Sequence, residues 1–199
     1  WACLVAARQG LDVSIVRPRT ILGHGRLGIF GILFDWIADG HDPIVLGDGS
    51  NRYQFVHSDD LADVCLLAAE VDSPGVFNVG TDRFGTMRET LDALCAHAGT
   101  GSQVRSLPVG PASLAMSLTA KLGLAPFAPY HWMMYSKSMW FDLEHLETQL
   151  GWTPQWSTDD MFGQSYDWFL GNRAATTDDN ASHHRRPSKQ GVLGLVKRM

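Results

Sequence analysis

Cysteine, long apolar runs and basic charge are all scarce in this chain, and each shortage removes a class of protein. The three cysteines among 199 residues, Cys3, Cys65 and Cys95, lie far apart, each in a helical apolar pattern. This argues against a disulfide framework or a zinc cluster and predicts free, buried thiols in a reducing, cytoplasmic setting. No apolar run reaches the roughly 18 to 20 residues that cross a bilayer, since Leu27 to Ile37 is short and is followed by Asp39 and Asp42. His183 to Met199 hold five Lys/Arg and no acid, which leaves the rest of the chain with 11 bases against 21 acids. So acidic a body argues against a nucleic-acid partner. There is no initiating Met and no secretory signal. The opening "WACLVAARQG" reads as the end of an amphipathic helix closed by Gly10, so the sequence is expected to be a fragment.

At 45% apolar the chain can build one good core or two small ones. A strand is expected at Val13 to Val16 and a mostly buried helix at Leu27 to Asp39. "PIVLG", "DGSN" and "RYQFVH" then read as strand, tight turn and returning strand, a hairpin framing a pocket. Ser58 or Asp59 caps a helix with an apolar stripe at Leu61, Val64, Cys65 and Ala68. "VFNVG" is a strand, and Thr86 with Glu89 has capping-box spacing for a helix to about His97. "VRSLPVGP" is extended, Ala112 to Leu122 helical, and "APFAPYHWMMYSKSMWFD" a long loop ending in a strand at Met139 to Phe141. Asp142 caps "LEHLETQLG", and Thr158 opens a last helix to Leu170. Residues 1 to 171 therefore form the folded unit. Residues 172 to 199 form a flexible basic tail, in which "GVLGLVKRM" suits weak contact with an anionic membrane. Alternating strands and helices imply an α/β architecture with mostly parallel pairing.

The stretch Asp12 to Gly28 carries the chemistry. Gly23, Gly25 and Gly28 spell GxGxxG before a helix, with Asp48 as the acid a dinucleotide fingerprint would need. Against that reading, Pro18 breaks the strand five residues before Gly23. Pro18 instead turns the chain just past the strand's C-terminal end, the edge where α/β sheets bind ligands. Arg52, after the turn, can hold a diphosphate bidentately, and Arg26 in the glycine loop is a second substrate candidate. His57 and Asp60, at a strand-to-helix junction, read as structural groups. His183 and His184, beside Arg185 and Arg186, do not read as metal ligands, and no metal site is expected. "PYHWMMY" suits either a cleft wall or packing.

Four segments in order, "LDVSIVRPRTILGHG", "GDGSNRYQFVHSDDLADV", "GVFNVG" and "FDLEHLETQLGWTP" with a closing helix holding Trp168, resemble the C-terminal half of the extended short-chain dehydrogenase/reductase family, the NAD-dependent epimerases and dehydratases. The resemblance implies the C-terminal portion of a Rossmann-like, doubly wound parallel sheet with a small substrate subdomain. It implies NAD or NADP as cofactor and a nucleotide sugar as substrate, in a chain that can form homodimers. It assigns cofactor contact to Pro18, Arg19, Thr20 and Ile21, and substrate contact to Arg52. The family's catalytic Tyr-x-x-x-Lys is absent, because the residues four after Tyr53, Tyr130, Tyr135 and Tyr166 are His57, Met134, Met139 and Leu170. That pair is expected upstream, and this chain alone is expected to be inactive. A 3β-hydroxysteroid dehydrogenase-like reductase and a non-catalytic, nucleotide-binding scaffold are the alternatives.

Overall fold

In the computed structural model, which describes residues 1–72, 74–122 and 134–176, every strand pair is parallel. In chain order the elements are α1 (Ala2–Arg8), β1 (Ile15–Pro18), β2 (Thr20–Leu22), α2 (Phe30–Ala38), β3 (Ile44–Leu46), β4 (Phe55–His57), α3 (Ser58–Glu70) and β5 (Val76–Val79). They continue with α4 (Met87–Ala98), β6 (Arg105–Leu107), α5 (Val109–Lys121), α6 (Glu144–Leu150) and α7 (Thr158–Thr176). β1 pairs with β5, β2 with β4 and β3 with β6, in the registers Ile15 to Val76, Thr20 to Phe55 and Ile44 to Arg105.

The expected α/β class with parallel pairing is what the chain adopts. The expected hairpin is not. β3 and β4 each pair with a strand distant in sequence, and the turn between them is closed locally by Asp48, whose carboxylate accepts from the Ser50 amide (2.9 Å) and hydroxyl (2.7 Å). The segment expected as one strand and a loop, Val13 to Ile21, is two short strands that leave toward different partners, β1 through Pro18 and β2 from Thr20. Of the cysteines only Cys95 is buried, and burial pushes its thiol up to about 11; Cys3 and Cys65 are exposed. Cys65 misses the core because the buried stripe of α3 runs through Val64 and Ala68.

β4 is the wall between two cores. Side chains alternate across a strand, so Phe55 faces a cluster with Leu22, Phe34, Leu91, Phe162 and Tyr166, and Val56 faces one with Val64, Phe77, Val79, Leu146 and Trp152. The first cluster is aromatic because α7 presents Phe162, Tyr166 and Phe169 on one face. Phe162 meets Phe55 at 5.0 Å and Phe30 at 5.3 Å between centroids, edge to face in both cases, as the ring quadrupoles favour. α7 runs to Thr176, past the helix end expected at Leu170, because Arg173 pairs with Asp35 and Asp39 (2.7 Å to the latter) and fastens its last turn to α2. The tail beyond it, with His183 and His184, and residues 129 to 133 of "PYHWMMY" lie outside the described residues. Among the described residues, no helix is long and apolar enough to cross a membrane.

Candidate active-site wall

Arg19 organises the wall. Its amide donates to Val79 O (2.9 Å), continuing the β1–β5 ladder, while its side chain is buried at 7% exposure. The guanidinium lies over the rings of Tyr53 (4.9 Å) and Phe141 (5.2 Å) and donates to Met139 Sδ (2.8 Å) and Met139 O (3.3 Å). Next to it the Thr20 and Tyr53 hydroxyls share a hydrogen bond of 3.0 Å. The expected strand at Met139 to Phe141 is reduced to a single parallel bridge between Tyr53 and Met139. The bridge is fixed by Met139 N to Arg52 O (2.8 Å) and Gln54 N to Met139 O (3.2 Å).

Gln54 locks this two-segment ribbon to the end of β5. At 1% exposure, its amide nitrogen donates to Thr81 O (2.8 Å) and Phe141 O (3.3 Å), and its amide oxygen accepts from Phe141 N (2.8 Å). Its packing explains Gly80, where any Cβ would run into the Gln54 amide.

Alternation along the ribbon sends Tyr53, Met139 and Phe141 to Arg19 and turns Arg52 and Trp140 outward. There the Arg52 guanidinium sits over Phe84 (4.6 Å) and Trp140 (5.6 Å), donates to Phe84 O (3.4 Å) and remains exposed. Arg26 is also exposed, with its amide closing a turn onto Gly23 O (3.1 Å) and no ion pair or side-chain hydrogen bond among the described residues. The structure thus joins Arg19, Thr20 and Arg52 through one ribbon but puts the first two on its inner side and Arg52 on its outer side. Arg26 stands apart from both.

At Pro18, Ile15 N donates to Gly75 O (2.8 Å) and Arg19 N to Val79 O (2.9 Å), so by alternation Val16 and Pro18 turn toward the other edge of β1. That edge pairs with no described strand, and at Pro18 it offers a carbonyl acceptor without an N–H. Ile21 packs against the Val56, Phe77 and Val79 cluster.

His57 and Asp60 are structural, as their position implied. The His57 ring, fully buried, caps α3 by accepting from Asp59 N at Nδ1 (3.2 Å). Its proton therefore lies on Nε2, which bonds Gln164 Oε1 (2.7 Å), and the ring stacks on Trp156 at 4.1 Å. The cap expected at Ser58 or Asp59 is thus one residue earlier. Asp60 accepts from the Gln155 and Trp156 amides (3.2 and 3.3 Å), holding the "WTPQW" turn, and burial raises its carboxyl above the usual range. The glycine loop serves packing too. Gly23, at φ +137°, is pressed against Ser58, and its amide donates to Ser165 Oγ (3.2 Å). With Asp48 committed to Ser50, the fingerprint reading has neither its glycine turn nor its acid.

Burial disfavours ionisation of two tyrosines. Burial pushes the Tyr135 phenol up to about 12, where it donates to Ile44 O (3.1 Å), and burial likewise raises Tyr166. Among the described residues, no group of three or more His, Cys, Asp or Glu is placed to hold a metal ion.

The inner cluster of Tyr53, Gln54, Met139 and Phe141 was missed in the sequence. The signal present was the alternation in "RYQF" and "MWF", which does not show that the two segments meet.

Residues 1–80 match the model of the NAD dependent epimerase/dehydratase family. The chain is 48% identical over 189 residues to "Uncharacterized protein y4nG" of Sinorhizobium fredii, covering 95% of this chain and 48% of that one. It is 30% identical over 95 residues to the UDP-glucose 4-epimerase of Mycolicibacterium smegmatis, covering 45% of this chain and 30% of that one. Among solved structures, the UDP-glucose 4-epimerase of Thermotoga maritima with UDP-glucose superposes with a TM-score of 0.64 at 22% identity, over 85% of this chain and 50% of that one. The UDP-glucuronic acid 4-epimerase of Bacillus cereus with NAD gives 0.62 at 18% identity, over 85% and 48%. These structures share the fold. The chain spans about half the length of y4nG and of both solved enzymes.

Proposed function

We propose that this chain, whose residues 1–80 match the NAD dependent epimerase/dehydratase family, forms the substrate-side wall of a nicotinamide-dependent enzyme acting at a carbinol of a nucleotide-diphosphate sugar. The observation that carries this reading is Arg52. Its guanidinium lies over two aromatic rings, spends one donor on Phe84 O and leaves the remainder of its fork exposed. A planar fork so held matches two oxygens of a diphosphate without losing much side-chain entropy on binding.

When bound, NAD or NADP would supply the hydride acceptor for the carbinol. Its proposed place is the C-terminal end of β1. The Pro18 carbonyl faces the open edge and suits a carboxamide N–H, while Ile21, packed against the Val56, Phe77 and Val79 cluster, backs the strand that follows. Arg19 and Thr20 are already engaged, with Met139 and Tyr53 respectively, and act by holding the ribbon that carries Arg52. Burial raises the Tyr135 and Tyr166 phenols, which disfavours both as proton acceptors for a carbinol.

Calorimetric titration with UDP-glucose tests the reading. Arg52→Ala is expected to weaken binding by about tenfold to a hundredfold, the worth of one or two charge-assisted hydrogen bonds. Arg52→Lys is expected to recover only part of that loss, because a point charge cannot reproduce the fork. Equal affinity in all three proteins would overturn the assignment.

A further inference from the structure

Arg19 is a buried cation without a paired anion. At 7% exposure its guanidinium meets two aromatic rings and one methionine, and among the described residues no Asp or Glu forms an ion pair or hydrogen bond with it. Holding the ribbon uses two of its three nitrogens, both on Met139, and one of those bonds ends on a thioether sulfur, a weak acceptor. The third, Nε, is buried and has no hydrogen-bond partner. The ring faces offset part of the penalty of withdrawing the charge from water, but a buried ion that lacks a counterion is otherwise strongly unfavourable. A hydrocarbon side chain would fill the same space without that penalty. Arg19 also directly follows Pro18 at the C-terminal end of β1, the edge where α/β sheets take ligands.

We propose that Arg19 receives a carboxylate of the substrate, so that the sugar is a uronic acid and not a neutral hexose. This rests on the reading of Arg52 as the holder of the diphosphate. A sugar that reaches a nicotinamide at Pro18 lies beside the next residue, Arg19. The Nε–H and the neighbouring terminal N–H share one edge of the guanidinium plane and match the two oxygens of a carboxylate side-on. The side chains that cover Arg19, namely Tyr53, Met139 and Phe141, are only half-buried, so one layer separates the guanidinium from the outside. Met139 suits a cover that yields, because an unbranched thioether changes rotamer readily. The Thr20 and Tyr53 hydroxyls, bonded to each other at 3.0 Å, stand next to the guanidinium with a further O–H to offer the same anion.

Calorimetric titration of protein expressed from its complete coding region, with UDP-glucuronic acid and UDP-glucose in parallel, tests this. The wild type is expected to bind the uronic acid about tenfold to a hundredfold more tightly, the worth of a charge-assisted pair. Arg19→Gln is expected to bring the ratio of the two affinities close to one, and Arg19→Lys to keep part of the preference. Loosening the ribbon lowers both affinities together, so the ratio separates receiving a carboxylate from holding the ribbon. Arg52→Ala should weaken both sugars and leave the ratio unchanged. Equal affinity for the two sugars in the wild type, or a preference that survives in Arg19→Gln, overturns the proposal while leaving Arg52 in place. Binding of neither sugar by the wild type overturns the Arg52 reading, and this proposal with it.

Discussion

Replacing Gln54 by Leu removes the lock between the ribbon and β5 while keeping nearly the same volume. Three hydrogen bonds disappear, to Thr81 O, Phe141 O and Phe141 N, at a residue only 1% exposed. Each buried partner left without a bond costs about 1–3 kcal/mol. Thr81 is fully buried, whereas Phe141 is half-buried and can recover part of its loss through water. A net destabilisation of about 2–4 kcal/mol follows, which for a chain of this size lowers the melting temperature by about 4–16 °C. Urea unfolding followed by circular dichroism reads the first quantity, and a thermal scan the second. Because Trp140 and Arg52 ride on the same ribbon, nucleotide binding should weaken even below the melting temperature. A destabilisation under about 0.5 kcal/mol, with binding unchanged, would refute the claim that Gln54 holds this wall in place.

Gly80→Ala should cost about 1–3 kcal/mol by driving a methyl group into the Gln54 amide. Combined with Gln54→Ala the two losses should be clearly less than additive, a point for a double-mutant cycle in urea. For the clamp on α7, a cycle of Arg173→Gln and Asp35→Asn should give a coupling of about 0.5–1 kcal/mol, reduced by salt because the pair is only partly buried. Zero coupling would mean that the last turn is not anchored there. Asp42 is held below the usual carboxylate range by the Gln103 amide and by Arg105. Its folded pKa therefore lies below its unfolded one. Its contribution is fully present above the unfolded value of about 4 and is lost as pH falls through the folded value. The stability gap between wild type and Asp42→Asn should accordingly shrink on acidification below about pH 4. A gap that widened there would reverse the sign of the argument.

What could be read in advance was whatever a few neighbouring residues decide. The Thr86–Glu89 capping box forms with both halves in place, because its partners are three residues apart on one turn. The pairing of β3 and β4 could not be read that way. The "DGSN" turn is real, but besides the Asp48–Ser50 bonds its carbonyls accept from Met87 and Arg88 of α4, and the strands on either side find β6 and β2. His57 was passed over as a cap because the residue types usual at that position stand directly after it. The ring does the same work through Nδ1. Arg19 illustrates the limit for the site. Its place after Pro18 was plain, yet its inward turn depends on Met139, 120 positions away. Arg52 needed only the turn before it to be singled out, and the aromatic rings beside it come from two further segments.

One measurement addresses directly whether this wall serves hydride transfer at a nucleotide sugar. Protein expressed from its complete coding region, saturated with NAD, is mixed with UDP-sugars in a stopped-flow spectrometer, and reduced-nicotinamide absorbance is recorded. A transient rise that decays as the hydride returns is expected, diminished in Arg52→Ala at the same sugar concentration. No rise with any nucleotide sugar, or a rise indifferent to Arg52, would contradict it.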